Sequence, residues 1–301
     1  MSGQRAQHPV RLVIGFSPGS ASDFIAGLLA PELSRRLGRE VIVERHAGNN
    51  GAIGARRVAA SDPDGTTLFM ATLGTHALAP HFAPGLGYDP VKDFRAVCLL
   101  SRSPLVLACH PAIRAASVDE LIAIGRSGAH RLTFASSAVG GAPHLAGELF
   151  KTMARIEMTH VPYARTEQLY EDLQKGRVAL SFNNIMSMAP RLRQGILRGL
   201  AVTGSQRSPL LRELPAMAEA GLPGYEVTNW LGIVAPARTP VDTVHLLNAG
   251  IVAALRAEAI AERLSPAGIE PCGDTPEEFA RHIEKELARW GPVIARIGIL
   301  A

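Results

Sequence analysis

The chain has 301 residues, 47% hydrophobic and 19% charged, and its 31 basic and 27 acidic side chains leave a formal net charge of +4. That is enough apolar material for about two globular domains, and no apolar run reaches the roughly 18 residues that a membrane helix needs. The small, dispersed positive surplus argues against a nucleic-acid partner and suits a small anion. Three widely spaced cysteines, Cys98, Cys109 and Cys272, suggest neither a zinc site nor a disulfide framework.

Residues 1–7 are polar and lack the apolar core of a signal peptide. Two readings follow: a cytoplasmic protein, or a mature form whose leader has been removed. Residues 10–16 then read as a strand covered on both faces, and Pro18-Gly19 ends it. Ser20 and Ser22 are candidate N-caps, and Asp23 suits a first helical turn. Ile25, Leu28, Leu29, Leu33 and Leu37 recur at helical spacing up to Gly38, with a bend expected at Pro31. Such a turn leaves backbone N–H groups at the positive end of a helix dipole, a site for a carboxylate. The same residues, Gly15-Phe16-Ser17-Pro18-Gly19, also match the G-x-S-x-G elbow of serine hydrolases. Pro18 argues against that reading, because the residue after the nucleophile should donate an oxyanion-hole N–H and proline has none.

Further strands are expected at 41–44, 67–71 and 96–100, with helices opening at the glycine-rich 48–54 and at 74–80. No G-x-x-x-x-G-K-[ST] phosphate loop occurs. The alternation of strand and helix predicts parallel strands with helices on both faces. A short strand at 105–108 and a capping box at 117–120 follow. At 132–135 a strand again runs into a small-residue turn, 136–144, and a helix at 145–153. The two turns, at 16–23 and 135–144, are anion-ready and can face each other across a cleft. Strands are expected at 178–182, 200–203 and 227–234, and a helix around 169–173. Thr239-Pro240 and Thr275-Pro276 each place threonine at N-cap and proline at N1 of an amphipathic helix. No linker interrupts the chain, which suggests that it crosses between two domains more than once.

These residues resemble a family: the Bug-type substrate-binding receptors of tripartite tricarboxylate transporters. The likeness is carried by RLVIGF at 11–16 with Pro18-Gly19 and Asp23, GAIGA at 51–55, PDG at 63–65, YDPVKDF at 88–94 and HLAGELF at 144–150. HVPY at 160–163, LAVTG at 200–204, AEAGLPGY at 218–225 and TPEEF at 275–279 continue it to the C-terminus. The resemblance implies an α/β, two-domain periplasmic-binding-protein clamp of type II, each domain a mostly parallel sheet flanked by helices. Residues 1–102 and 229–301 would form the first domain and 103–228 the second, with crossings near 101–105 and 228–231. It implies a small carboxylate held between the domains and delivered to the membrane permease subunits of a transporter, in the periplasm, with no cofactor, metal, catalytic residue or nucleic acid.

Carried over position by position, the resemblance implies ligand contacts at Phe16, Gly19, Ser20, Ser22 and Asp23 in the first turn. It adds Thr72, Gly74 and Thr75 from a second loop, Ser136, Ser137, Val139 and Gly140 from the second turn, and Tyr163 and Asn183 from the cleft wall. Departures from the family's pattern fall on loops, at Ser17 to Ser20, at 45–51 and at Ala164-Arg165. His144 and His160 read as structural, His46 and His76 as solvated loop residues, and Cys98 and Cys109 as inert core. Arg45 or Arg165, if turned to the cleft, can take a second carboxylate in bidentate fashion. The competing expectations are a hydrolase or other small-carboxylate enzyme using the Ser17/Asp23 turn, and a ligand-sensing regulator domain of the same fold.

Overall fold

In the computed structural model the described residues are 8–83, 85–128, 131–137, 139–163 and 165–298. The chain opens with β1 (Val10–Ile14) and α1 (Ala21–Leu37). Ser20 is the N-cap of α1, its Oγ accepting the Asp23 N–H at 3.2 Å, and Gly38 closes the helix at φ 62°. The helix runs through Pro31 as one element. Then come β2 (Val41–Arg45), α2 (Ala52–Ala59), β3 (Thr67–Thr72), a wide helical turn at Gly74–Leu78 and α3 (Ala79–Phe82). β4 (Phe94–Cys109) leads to α4 (Val118–Ser127), β5 (Leu132–Ser136), α5 (Ala142–Ala154), β6 (Met158–Pro162) and α6 (Thr166–Gln174). β7 (Leu180–Asn184), α7 (Ile185–Arg193), β8 (Arg198–Val202) and β9 (Thr228–Pro236) follow. The chain ends in α8 (Val241–Leu255), α9 (Glu258–Leu264), β10 (Glu270–Pro271) and α10 (Pro276–Ile297).

The strands are ordered β2-β1-β3-β9-β4-β7-β5-β6, with β8 and β10 also paired to β4. β1 pairs in parallel with β2 and β3, but β9 lies between β3 and β4 and is antiparallel to both. The all-parallel sheet expected of the first four strands is therefore interrupted. The returning chain has to run against β4, and its apolar residues, Trp230 to Ala235, are buried in that central slot. Beyond it, β5 pairs in parallel with β6 and β7, and β7 and β8 are antiparallel to β4.

β4 unites two strands that read as separate. Ser101, Arg102, Ser103 and Pro104 look like a polar break, yet they pair with Leu231, Trp230, Asn229 and Thr228 of β9. Pro104 has no N–H to give a ladder, and it sits where the partner of β4 changes from β9 to β7. Residues 94–104 thus belong to one half of the sheet and 105–109 to the other. Buried Thr203 ties the two crossing strands together. Its Oγ1 accepts the Leu105 N–H at 2.8 Å and donates to the Val227 carbonyl at 2.6 Å.

Helix capping follows the expected chemistry at Ser117, whose Oγ accepts the Glu120 N–H, and at Thr275, where a full capping box forms with Glu278. At α8 the N-cap is Pro240 rather than Thr239, which is buried. Along α10, Phe279, Ile283, Trp290 and Ile294 face inward, and the Phe279 ring lies against Gly232, where a Cβ would come within 2.1 Å of it. One continuous core runs through both halves, from Phe69 and Phe82 to Leu107, Phe134 and Trp290. Burial pushes the Cys98 and Cys109 thiols up to about 12 and about 11, so both behave as inert core residues.

Thr203→Val keeps the volume but strands the Leu105 N–H, and should cost about 1–3 kcal/mol of stability. Urea denaturation measures it, with Thr203→Ser close to wild type.

Candidate ligand-binding cleft

Between the halves lies a cavity of about 350 Å³. Its walls are the starts of helices. Ser20 and Ser22 open α1, Gly141 and Ala142 open α5, Arg165 and Thr166 open α6, and Asn184 and Met186 open α7. The first N–H groups of a helix have no intrahelical acceptor, and each N-terminus carries a partial positive charge. Four such ends around one void make an anion site without relying on a charged side chain. Two of them, α1 and α5, are legible in the sequence. α7 is not: Pro190 within it and the asparagine pair before it disguise the helix.

Side-chain amides add to this field. Asn183 sits on β7, its Oδ1 accepting the Asn184 N–H at 3.0 Å, and its buried Nδ2 has no partner among the described residues. Asn184 Oδ1 and Asn50 Nδ2 are likewise buried and unpartnered, and all three residues line the cavity. An unsatisfied buried polar group costs about 1–3 kcal/mol, so these atoms call for a partner that the described residues do not supply. Asn50 is also held at φ 51°, and its amide lies 3.2 Å from where a Cβ of Gly74 would stand. That left-handed backbone is not legible from the residue type alone.

The expected contact residues divide into two groups. Phe16, Gly19, Ser20, Ser22, Thr72, Gly74, Ser137 and Asn183 line the cavity. The others lie behind or beside it. Asp23 accepts the Gly19 N–H at 2.9 Å and pairs with Arg45 at 2.6 Å, so both charges are committed to shaping the first turn. Thr75 is buried and exchanges hydrogen bonds with Thr72, and its carbonyl accepts from Tyr88. Ser136 Oγ lies 2.7 Å from His160 Nε2, while Gly140 donates to His144 Nδ1 at 3.0 Å and packs under the Phe82 ring. Tyr163 donates to Asp172, and Val139 lines an adjoining void. Arg165 lines the cavity and makes no ion pair among the described residues.

The histidines support these turns. The His144 and His160 rings stack with centroids 3.9 Å apart. Burial holds His144 down to about 3, helped by His160 and Lys151, and His160 down to about 4. His76, expected to be a solvated loop residue, is instead fully buried among Phe69, Tyr88 and Phe94, where burial holds it at about 3, and it touches Thr75 Oγ1 through Nδ1. All three are neutral in the fold. No histidine lines the cavity beside Ser17, and the next residue, Pro18, has no N–H, so the elements of a hydrolase elbow are not assembled among the described residues.

The architecture is that of a periplasmic binding protein, a sheet built in two halves with a cleft of helix N-termini between them. Residues 25–299 match the family model described as tripartite tricarboxylate transporter family receptor, and the chain belongs to that family. Its structure is similar to R. palustris Rpa4515 with adipate, at 38% identity and a TM-score of 0.90, covering 97% of this chain and 98% of that one. It is also similar to MatC from Rhodopseudomonas palustris with bound malate, at 31% identity and a TM-score of 0.86, over 95% and 98% of the two chains. A third likeness is the periplasmic binding protein BugD, at 28% identity and a TM-score of 0.87, over 97% and 98%. The Bug-type resemblance thus holds, and the chain is a receptor rather than the enzyme that the Ser17 turn suggested.

A histidine whose folded pKa lies below its ordinary value stabilises the fold only while it stays neutral. Its contribution is complete above about 6.5 and is lost as pH falls towards the folded value. Urea midpoints should therefore drop between pH 7 and pH 4. His144→Asn, whose Oδ1 can still accept the Gly140 N–H, should show a shallower drop.

Proposed function

We propose that this receptor captures a small carboxylate in the cleft and delivers it, in the periplasm, to the membrane permease subunits of a tripartite tricarboxylate transporter. The single observation that carries the ligand class is the convergence of four helix N-termini on buried, unpartnered amides of Asn50 and Asn183. A carboxylate offers several lone pairs and a negative charge, and so satisfies both features at once. The adipate and malate of the related structures are acids of the same class.

In this reading Ser20, Ser22 and the first backbone N–H groups of α1 hold one side of the carboxylate. Ser137, Asn183 and the start of α5 hold the other. Asp23, Thr75, Ser136, Gly140 and Tyr163 shape the turns through the hydrogen bonds described above. Arg165, which lines the cavity, takes a second carboxylate in this reading. The domains are 1–102 with 229–301, and 103–228, and the hinge is the pair of strands β4 and β9 where they cross near Pro104 and Thr228. Each half alone offers donors that water already satisfies, so tight binding needs closure, and differential affinity for the closed form shifts the population.

A melting-temperature screen with malate, succinate, adipate and citrate tests the ligand class, since a ligand that binds only the folded state raises stability. At least one acid should raise the melting temperature, and Asn183→Ala should weaken its binding about tenfold or more. No shift with any carboxylate, or full affinity in the variant, would contradict the reading.

A further inference from the structure

Two glycines carry contacts from the opposite half of the sheet, and in each case the contact lies beside the start of a helix that walls the cavity. Gly140 belongs to the second half, for it follows β5, which pairs with β6 and β7. Resting on it is Phe82 of the first half, reached from β3 through the turn at Gly74–Leu78 and α3. A Cβ at Gly140 would come 2.0 Å from Phe82 Cζ and 2.4 Å from Cε2, so the edge of the ring stands against the glycine Cα. Gly268 reverses the arrangement. It leads into β10, which pairs with Ser101 and Arg102 in the first half. The side chain upon it is Ile185 of the second half, whose Cγ2 a Cβ would meet at 2.8 Å and whose own Cβ it would meet at 2.9 Å.

Neither contact has slack. Gly140 gives its N–H to His144 Nδ1 at 3.0 Å, and α3 is held to α10 where His81 Nε2 lies 3.0 Å from the Leu287 carbonyl oxygen. Phe82 is 8% exposed and Ile185 1%, so neither side chain has open space to turn into, and close-packed groups resist compression. Their neighbours are walls of the ligand cavity. Gly141 and Ala142 follow Gly140 at the start of α5, and Asn184 and Met186 flank Ile185 at the start of α7. The separation at these two contacts therefore sets how far the N-termini of α5 and α7 stand from Ser20 and Ser22 across the cavity.

We propose that Phe82 and Ile185 are positioning residues for ligand capture: each seats on a glycine of the other half and stops closure at the depth where both halves reach one carboxylate. The inference rests on the carboxylate reading of the cleft and adds the residues that fix its closed width. Neither side chain lines the carboxylate cavity, so each acts through the backbone it presses upon.

Calorimetric titration of malate, succinate, adipate and citrate reads the effect. Gly140→Ala puts a methyl where the Phe82 ring stands, and should weaken every acid that binds the wild type by about tenfold or more, as overpacking does in a core. Phe82→Ala alone should also weaken binding, yet added to Gly140→Ala it should strengthen it, because the obstructing ring is gone. Gly268→Ala, at the other seat, should act like Gly140→Ala and guards against a folding defect in the first variant. Small-angle scattering at saturating acid should give both glycine variants a larger radius of gyration than the wild type. Lowered melting temperatures with unchanged affinities and radii, or no recovery in the double variant, would mark contacts that serve only the core; either result overturns the seats and leaves the carboxylate reading standing. No binding of any of the four acids to the wild type overturns both.

Discussion

The structure depends on two adjacent antiparallel strands that carry the chain between its halves. β4 leaves the first half as β9 returns to it, and Pro104 stands opposite Thr228 where they part. Side chains alternate along a strand, and β9 uses that alternation: Asn229 and Leu231 reach the ligand cavity, while Thr228 and Trp230 face a separate void behind it. The crossing therefore forms the floor of the cavity and carries the chain between the two halves of the sheet. The Thr203 hydroxyl bonds the backbone beside both strands, which makes the crossing a hydrogen-bonded unit rather than a loose connection.

Everything the cleft offers is fixed from behind. The cavity collects helix N-termini because strand after strand ends at it and turns into a helix, as open α/β sheets place their sites at the carboxyl ends of strands. The turns that make those reversals are held by committed partners. Asp23 and Arg45 hold the first, and the stacked pair His144 and His160 holds the second. What stays without a partner among the described residues is a small set of amide atoms, on Asn50, Asn183 and Asn184, which line the cavity.

Much of this was legible in the chain. The glycine-serine turns at 16–23 and 136–144 announced two helix starts, and Ser20, Gly38, Ser117 and Thr275 occupy the capping positions that their chemistry suggests. The family blocks conveyed the fold. What stayed hidden was non-local. Ser101 to Pro104 look like a break until β9 is laid beside them, and β9 belongs between β3 and β4 only because the chain returns more than 120 residues later. Asn50 reaches the cavity through a left-handed backbone angle and the room left by Gly74, and the start of α7 lies hidden behind Pro190. Gly140, expected to approach the ligand, has its N–H committed to His144 and its Cα face under Phe82.

The central claim is that the cleft binds an ionised carboxylate through helix N-termini and neutral donors. The most direct measurement is the carbon-13 chemical shift of a carboxyl-labelled acid, bound to the receptor, as a function of pH. Donors and positive helix ends favour the charged form, so the bound carboxyl should stay ionised to a lower pH than the free acid. A bound carboxyl that takes up its proton at the same pH as the free acid, or at a higher one, would contradict the account.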